Sequence, residues 1–306
     1  MHIVTDILQY DKRPCAATIG SFDGVHRGHI AMLGELRAAA TAKGLPLMVV
    51  TFAIHPRMLF NEGCAPFLLT PTTKKLELLE AAGVDLCVLL DFDHAMATMS
   101  AQQFMNKILV ERLGVQMLAV GYDHHFGRPA PGEELEQYIE YGKEMGIEVF
   151  GTQPYNVDGT VVSSSVVRRA LSEGDVAFAA RLLGYNYSLS GSVVHGAGIG
   201  RVLGFPTANI STTDKMQLLP ADGVYEVDVC VDGERRQGVM NIGVKPTVSG
   251  KERTLEVYIV DFNGDIYGNE ITVEFVRRLR GEQSFENINA LRFQIEVDVA
   301  RVKRGI

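Results

Sequence analysis

Short apolar segments alternate with amphipathic ones along the first half of the chain. CAATIG (15–20) and LPLMVVTF (45–52) have the composition of buried strands, and HIAMLGELRAAATAKG (29–44) between them has helical spacing and ends at a glycine. Further strands are predicted at DLCVLLDF, VQMLAVGY and IEVFGTQP, and further helices at PTTKKLELLEAAGV, SAQQFMNKILVERLG and GEELEQYIEYGKEMG. The pattern predicts an α/β domain with a doubly wound parallel sheet, in which ligands bind at the carboxyl ends of the strands.

The pattern changes from about residue 187, where strand follows strand. The predicted strands are YSLSGSVVHG, GVYEVDVCVDG, RQGVMNIG, TLEVYIVDF and DIYGNEITVEFVRRLR, with hairpin-like turns at VDGE and FNGD. The tail SFENINALRFQIEVDVARVKR has helical periodicity, and its first residue, Ser284, is a candidate N-cap. We therefore predict two domains, residues 1–185 and 186–306, the second being a small antiparallel β-barrel closed by a helix.

Composition narrows the classes of function. A chain of 306 residues favours two domains, and a formal net charge of −8 argues against a broad nucleic-acid-binding surface. No apolar run reaches the length of a membrane span, and the N-terminus lacks a secretory pattern, so neither nucleic acid nor membrane is an expected partner. Four scattered cysteines without close pairing indicate reduced thiols, which is typical of a cytoplasmic enzyme.

The segment GSFDGVHRGH (20–29) follows the first predicted strand and opens a helix. His26 and His29 could belong to a zinc site, although no third ligand of convincing spacing follows, or they could be satisfied structural histidines. Neither alternative explains Gly20, Gly24 and Gly28, which would let the backbone approach a ligand closely. A helix N-terminus aimed at the same place favours an anion such as a phosphate.

A second candidate element is VVSSSVVRR (161–169), in which consecutive hydroxyls lead into a helix-like segment. Alone, it is equally well explained by a serine N-cap followed by a solvated arginine. Together with the histidine segment, Ser164, Ser165 and Arg168 could form a second cradle for a polyphosphate.

A third element, GAGIGRVLGFPTANI (196–210), is rich in glycine but is not a dinucleotide-binding fingerprint, because Arg201 stands where the third glycine is needed. Thr207 and Asn209 offer hard oxygen ligands suited to Mg²⁺, although PTAN taken alone is better explained as a turn with two solvated polar residues. Glu256 alternates with Leu255 and Val257, so it lies either in a site or on the solvent face of a half-buried strand.

GSFDGVHRGH and VSSSVVR resemble the HxGH and ISSTxIR motifs of the nucleotidyltransferases. TFAIHP and GYDHHFG narrow the resemblance, over residues 14–185, to the FMN adenylyltransferase module of prokaryotic bifunctional FAD synthetases. The resemblance implies a Rossmann-like nucleotidyltransferase fold and attack of the FMN phosphate on the α-phosphorus of ATP, with release of pyrophosphate. It also implies catalytic roles for His26 and His29, and flavin contacts from His55 and Asp123. The residues that it implies for ATP and phosphate binding are Gly20, Phe22, Asp23, Gly28, Ser164, Ser165 and Arg168.

GRVLGFPTANI, NIGVKPT, LEVYIVDF and FVRRLRGEQSF resemble the riboflavin kinase domain over residues 187–304. The resemblance implies transfer of the γ-phosphoryl of ATP to the ribityl hydroxyl of riboflavin, with Glu256 as the catalytic base. It places Mg²⁺ and the ATP phosphates at Thr207 and Asn209, with Gly198 and Gly200 in a flexible loop over the nucleotide.

Several positions depart from the patterns of the two families: Ala53, Ile54, His125, Lys245 and Tyr258. The departures at Ala53, Ile54 and His125 are expected to affect flavin-side contacts more than the phosphate chemistry. Tyr258 and Lys245 replace no group that the kinase mechanism needs, so activity is expected.

The two resemblances together predict a bifunctional enzyme that converts riboflavin to FMN and then FMN to FAD, with ATP as co-substrate and pyrophosphate as by-product. Three alternatives stay open: a barrel that binds flavin without turnover, a transferase acting on another phosphate ester, and a scaffold without activity. The oligomeric state, including a homo-oligomer, also stays open.

Overall fold

The computed structural model describes residues 1–56, 58, 67–122, 134–196, 198–247 and 250–305, without the side chains of 245–247 and 250–252. The chain divides into two compact units. The first unit comprises Met1–Ala65 and Thr70–Ser164, and the second comprises Pro66–Leu69 and Ser165–Ile306.

The first unit is built on a six-stranded sheet in which every neighbouring pair is parallel. The strand order is β1-β4-β3-β2-β5-β6, so the order reverses direction beside β2, where a doubly wound sheet opens a ligand crevice. The strands are β1 (His2–Val4), β2 (Cys15–Ile19), β3 (Leu47–Phe52), β4 (Leu86–Leu90), β5 (Val115–Val120) and β6 (Glu148–Gly151).

Helices cover both faces of this sheet. Successive residues of β3 belong to different apolar clusters: Leu47 and Val49 pack in one, Met48 and Val50 in the other. This division confirms the predicted doubly wound architecture. The helices are α1 (Arg27–Ala42), α2 (Thr72–Ala81), α3 (His94–Thr98), α4 (Ala101–Phe104), which continues as a π-helix (Met105–Arg112), and α5 (Leu135–Met145).

Two features of the first unit were not predicted. The edge strand β1 is only three residues long, and a short hairpin, β7 (Asn156–Val157) and β8 (Thr160–Val161), precedes α6 (Ser164–Glu173). Segments this short carry too few alternating positions for a pattern to be recognised.

The second unit contains a closed antiparallel barrel with the order β10-β13-β12-β11-β14-β9, as predicted. Its C-terminal helix α9 (Ile288–Arg304) packs through Val299 and Val302 against Val224 and Val239. The other elements are α7 (Val176–Leu183), α8 (Ile199–Leu203), β9 (Ser188–Val194), β10 (Thr207–Thr212), β11 (Gly223–Val231), β12 (Glu234–Thr247), β13 (Gly250–Ile259) and β14 (Glu270–Arg280).

The predicted serine cap of the last helix is wrong. The N-cap of α9 is Asn287, whose side chain accepts hydrogen bonds from the backbone N–H groups of Asn289 and Ala290. Asparagine and serine cap equally well, so the composition of the segment did not distinguish the two positions.

The segment PTAN lies in a strand, not in a turn. Thr207 opens β10, which pairs with β9 on one side and β13 on the other. Among the described residues, no helix is long and apolar enough to cross a membrane.

Candidate active sites

His26 and His29 lie together at the start of α1. His26 is the N-cap of the helix, and its Nδ1 accepts a hydrogen bond from the backbone N–H of His29 at 3.3 Å. The two imidazole rings are stacked, with centroids 3.7 Å apart and planes 12° apart, and Phe22 lies 4.8 Å from the ring of His29. Because Nδ1 of His26 is an acceptor, the neutral ring carries its proton on Nε2, which makes Nε2 the donor.

The loop between β2 and α1 is strained. Phe22 and Val25 have positive φ angles of 49° and 35°, and Val25 is β-branched, for which such a conformation is unfavourable. Gly28 has little space around it: a Cβ there would lie 3.1 Å from Nδ1 of His26 and 3.2 Å from the carbonyl oxygen of Val162. The sequence suggested that Gly28 lets the backbone approach a ligand closely. In the structure, the groups close to Gly28 are His26 and the backbone of Val162.

Buried hydrogen bonds hold this loop. Asp23 is 3% exposed, and its Oδ1 accepts from the backbone N–H of Thr70 at 3.1 Å, while the N–H of Gly24 donates to the hydroxyl of Thr70 at 3.1 Å. The hydroxyl of Ser164 donates to the carbonyl of Asp23 at 2.9 Å. Two motifs 141 residues apart thus meet, and Ser164 contacts the loop that carries the histidines.

Sequence analysis missed Lys75, on α2. Its ammonium group donates to the carbonyl oxygens of Phe52 at 3.0 Å and Ser21 at 3.4 Å, and to the hydroxyl of Thr51 at 3.3 Å. A lysine in an amphipathic helix is normally solvated, so the pattern contained no signal for its burial.

The remaining candidates of the transferase set are placed as follows. Gly20 donates its N–H to the carbonyl of Val50 at 3.0 Å, and the carbonyl of His55 accepts from the N–H of Met58 at 2.8 Å. Ser165 and Arg168 lie in the second unit, where Nε of Arg168 donates to the carbonyl of Phe67 at 2.9 Å. Asp123, expected on the flavin side, and His125 lie outside the described residues.

In the barrel, Glu256 lies in a row of polar side chains across three strands. It is directly opposite Asn209 of β10 and Asn241 of β12, and its Oε2 accepts from the hydroxyl of Thr207 at 3.4 Å. Leu255 is 4% exposed and Val257 is fully buried, so Glu256 lies on the opposite face of its strand. Sequence analysis missed Asn241, because its place beside Glu256 depends on the register between β12 and β13.

Glu256 is half-buried on that face. The carboxylate lines a cavity of about 340 Å³ together with Thr207, Asn241 and apolar side chains that include Leu203 and Val239. Glu256 is thus both a half-buried strand residue, as the pattern indicated, and part of the wall of this cavity. Tyr258, also in this wall, is in edge-to-face contact with Phe205 at 5.3 Å.

A second cavity, of about 640 Å³, adjoins the same strand. Its lining includes Arg201, Asp265, and the stacked rings of His195 and Tyr267, whose centroids are 4.0 Å apart. Thr207 lines both cavities, and the smaller one is also lined by the charged side chains of Arg280, Glu282 and Asp298.

The glycines at 198 and 200 belong to a short helix and not to an irregular loop. Gly198 (φ 71°) is the N-cap of α8, and Gly204 (φ 86°) ends it. A Cβ on Gly200 would overlap the carbonyl oxygen of Phe205 and lie 3.1 Å from the Thr207 hydroxyl. Glycine is thus required at 200 by the close approach of the Phe205 backbone.

The donor groups in the barrel suit one kind of metal ion. Within the described residues, no group of three or more His, Cys, Asp or Glu side chains is placed to hold a metal ion. The hydroxyl of Thr207 and the amide of Asn209, beside the Glu256 carboxylate, are hard donors of the type that Mg²⁺ accepts.

Comparison with known proteins matches both halves of the chain. The FAD synthetase family model matches residues 8–166 and the riboflavin kinase model matches residues 183–306. The bifunctional riboflavin kinase/FMN adenylyltransferase of Pseudomonas fluorescens is 42% identical over 297 residues, which cover 97% of this chain and 94% of that protein. The chain belongs to this bifunctional family.

Other members of the bifunctional riboflavin kinase/FMN adenylyltransferase family are similarly related. The protein of that name from Escherichia coli (strain K12) is 40% identical, over 96% of this chain and 94% of its own. The one from Bacillus subtilis (strain 168) is 34% identical, over 95% and 92%. The family, fold and paired activities expected from the motifs are therefore confirmed.

A crystal structure described as a macrolide-efflux protein from Streptococcus pneumoniae has the same fold. It aligns with a TM-score of 0.88 and 30% identity over 98% of each chain. The name macrolide-efflux protein is that structure's own description. The activity of this chain follows from the family models and from the bifunctional relatives.

Proposed function

We propose that the two reactions use the two sets of residues described above: riboflavin phosphorylation at Thr207, Asn209 and Glu256, and FMN adenylylation at the HxGH loop. The chain is a bifunctional riboflavin kinase and FMN adenylyltransferase that uses ATP in both steps. The first domain, residues 1–185, would carry adenylyl transfer, and the second, residues 186–306, the kinase.

One observation carries the kinase assignment: Thr207 borders both cavities and donates to Glu256. The apolar cavity of about 340 Å³ suits the fused rings of riboflavin, and the larger one, with Arg201, suits ATP. The ribityl 5′-hydroxyl is a poor nucleophile at neutral pH, and Glu256 would accept its proton as the γ-phosphoryl group is transferred.

Thr207 and Asn209 would hold Mg²⁺. When bound, the ion supplies charge neutralisation to the transferring phosphate. The hydrogen bond from the Thr207 hydroxyl to Glu256 and the pairing of Asn209 with Glu256 support this assignment.

The adenylyltransferase site needs no general base. The second pKa of a phosphate monoester is about 6, so FMN arrives already ionised at neutral pH. What the reaction needs is donors for the charge that develops on phosphorus oxygens and on pyrophosphate. We assign these roles to Nε2 of His26, to His29, and to the N-terminus of α1, with Gly20, Phe22, Asp23 and Gly28 shaping the loop.

Ser164, Ser165 and Arg168 are proposed to hold the pyrophosphate, and His55 and Asp123 to contact the flavin. The contact of Ser164 with the histidine loop supports the first assignment. We also propose a cytoplasmic location, supported by free thiols at Cys15, Cys87 and Cys230.

The test is a time course with riboflavin, ATP and Mg²⁺, in which riboflavin, FMN and FAD are separated by chromatography. Wild type should accumulate FMN and then FAD. His29→Ala should stop at FMN, and Glu256→Gln should make FAD only from added FMN. Loss of both activities in either variant would contradict the assignment of residues to separate reactions.

A further inference from the structure

Lys75 is a buried lysine whose three hydrogen-bond acceptors are all neutral oxygens. The residue is 7% exposed, and its ammonium group donates to the carbonyls of Ser21 and Phe52 and to the hydroxyl of Thr51, which is itself fully buried. The three acceptors match the three donors of an ammonium group. We call this set of four residues the Lys75 clamp.

The burial of this charge is unfavourable for stability. Desolvation lowers the pKa of Lys75 below the usual value of a lysine, and although the charge of Asp23 raises it, desolvation is the larger effect. An apolar side chain of the same length would avoid this cost. The three hydrogen bonds nevertheless fix where the ammonium group lies.

The clamp joins two loops at the carboxyl edge of the sheet. Ser21 lies two residues after the end of β2, in the strained loop that leads to His26, and its carbonyl also accepts from the hydroxyl of Thr51 at 3.1 Å. Phe52 is the last residue of β3 and precedes the segment that contains His55. Lys75 reaches both from α2, so it connects the ends of neighbouring strands through a single charged group.

We propose that Lys75 is a positioning residue for adenylyl transfer, whose ammonium group holds the loop of His26 and His29 at a fixed distance from the segment after β3. The inference rests on the proposed adenylyltransferase site. In-line attack requires the two reacting groups to be held in near-contact geometry, and a misplacement of about 1 Å can lower the rate about 100-fold.

The first test is Lys75→Met, which keeps the side chain as far as Cε and removes the ammonium group with its donors. With FMN and ATP, kcat for FAD formation should fall about 100-fold, with a smaller change in KM. Kinase activity of the same chain should be unchanged, and the melting temperature should change little, because loss of the buried charge offsets loss of its three hydrogen bonds. The matched control is Lys74→Met: Lys74 is exposed and pairs with Glu77 at 3.2 Å, so neither activity should change.

The second test is chemical rescue. Lys75→Ala deletes three carbons and the nitrogen, and propylammonium supplies the same atoms. Added propylammonium should restore FAD formation at least several-fold, whereas tetramethylammonium, which has no N–H donor, should not. A purely structural defect would not respond to one cation and ignore the other.

Unchanged FAD formation in Lys75→Met would overturn the proposal, as would a loss that follows a fall in both kinase activity and melting temperature. If Lys75→Met does not fold, a second variant, Thr51→Val, removes one acceptor of the Lys75 clamp. This variant should lower FAD formation several-fold, and unchanged FAD formation would overturn the proposal. Wild type is assayed first with FMN and ATP, so a failure of the proposed adenylyltransferase function is seen before any variant is compared.

Discussion

Substitution of Gly28 by alanine tests whether the close contacts at the start of α1 serve catalysis. A Cβ at this position would lie 3.1 Å from Nδ1 and 3.2 Å from Cε1 of His26, and 3.2 Å from the carbonyl oxygen of Val162. Favourable contacts between such atoms begin at about 3.5 Å, so these neighbours must move by about 0.3–0.4 Å. The ring of His26 is stacked on His29 at 3.7 Å, and its displacement disturbs both histidines.

The expected effects on stability and on catalysis differ in size. Alanine is favoured over glycine in a helix by up to about 1 kcal/mol, and this gain offsets part of the steric cost. We therefore expect the free energy of unfolding to change by less than about 1 kcal/mol. FAD formation from FMN should fall about 10- to 100-fold, because catalysis depends on the position of the imidazole groups.

The assay compares FAD formation from FMN with FMN formation from riboflavin in the same preparation. Gly34→Ala is the matched control, since Gly34 lies in the same helix and a Cβ there would meet no neighbouring group within 4 Å. This control should keep both activities. Full FAD formation in Gly28→Ala would refute the reasoning, and so would an equal loss of kinase activity.

Three further predictions concern other parts of the chain. Asp298→Asn removes one charge of the buried pair with Arg280 (2.9 Å; Asp298 side chain 1% exposed) and should lower the free energy of unfolding by about 3 kcal/mol, measured in urea. Burial raises the pKa of the Cys15 thiol to about 12 and that of the Cys87 thiol to about 11. At pH about 8 both thiols remain protonated and should resist alkylation. Cys230 is exposed and should be alkylated, which peptide mass spectra would show. Chelation of Mg²⁺ should stop FMN formation, and added Mg²⁺ should restore it; a kinase that works without the metal would contradict the role of Thr207.

The two sites offer different catalytic groups, because one nucleophile must lose a proton and the other is already ionised. The kinase acts on an alcohol and has a carboxylate, Glu256, at the wall of an apolar cavity. The transferase acts on a phosphate that is already ionised, and its loop offers imidazole and backbone donors around His26. The product of the first reaction is the nucleophile of the second, so one chain with these two sites converts riboflavin to FAD.

Local patterns in the sequence were enough to predict the architecture. The strand at Cys15–Ile19 is buried at every position and α1 follows it, as the apolar run and the helical spacing indicated. Periodicity reports which face of an element is buried, and this is a local property of the chain. Motif spacing, helped by the family resemblance, likewise located the HxGH and PTAN segments.

The tertiary structure decided which residues meet. Lys75 had the pattern of a surface lysine, yet packing of α2 against the sheet buries it at the ends of β2 and β3. Glu256 had the pattern of a solvated strand residue, yet it lines a cavity beside Asn241 because of the register of β12 and β13. Such contacts join residues far apart in the chain, and they depend on strand order and register, which no local pattern contains.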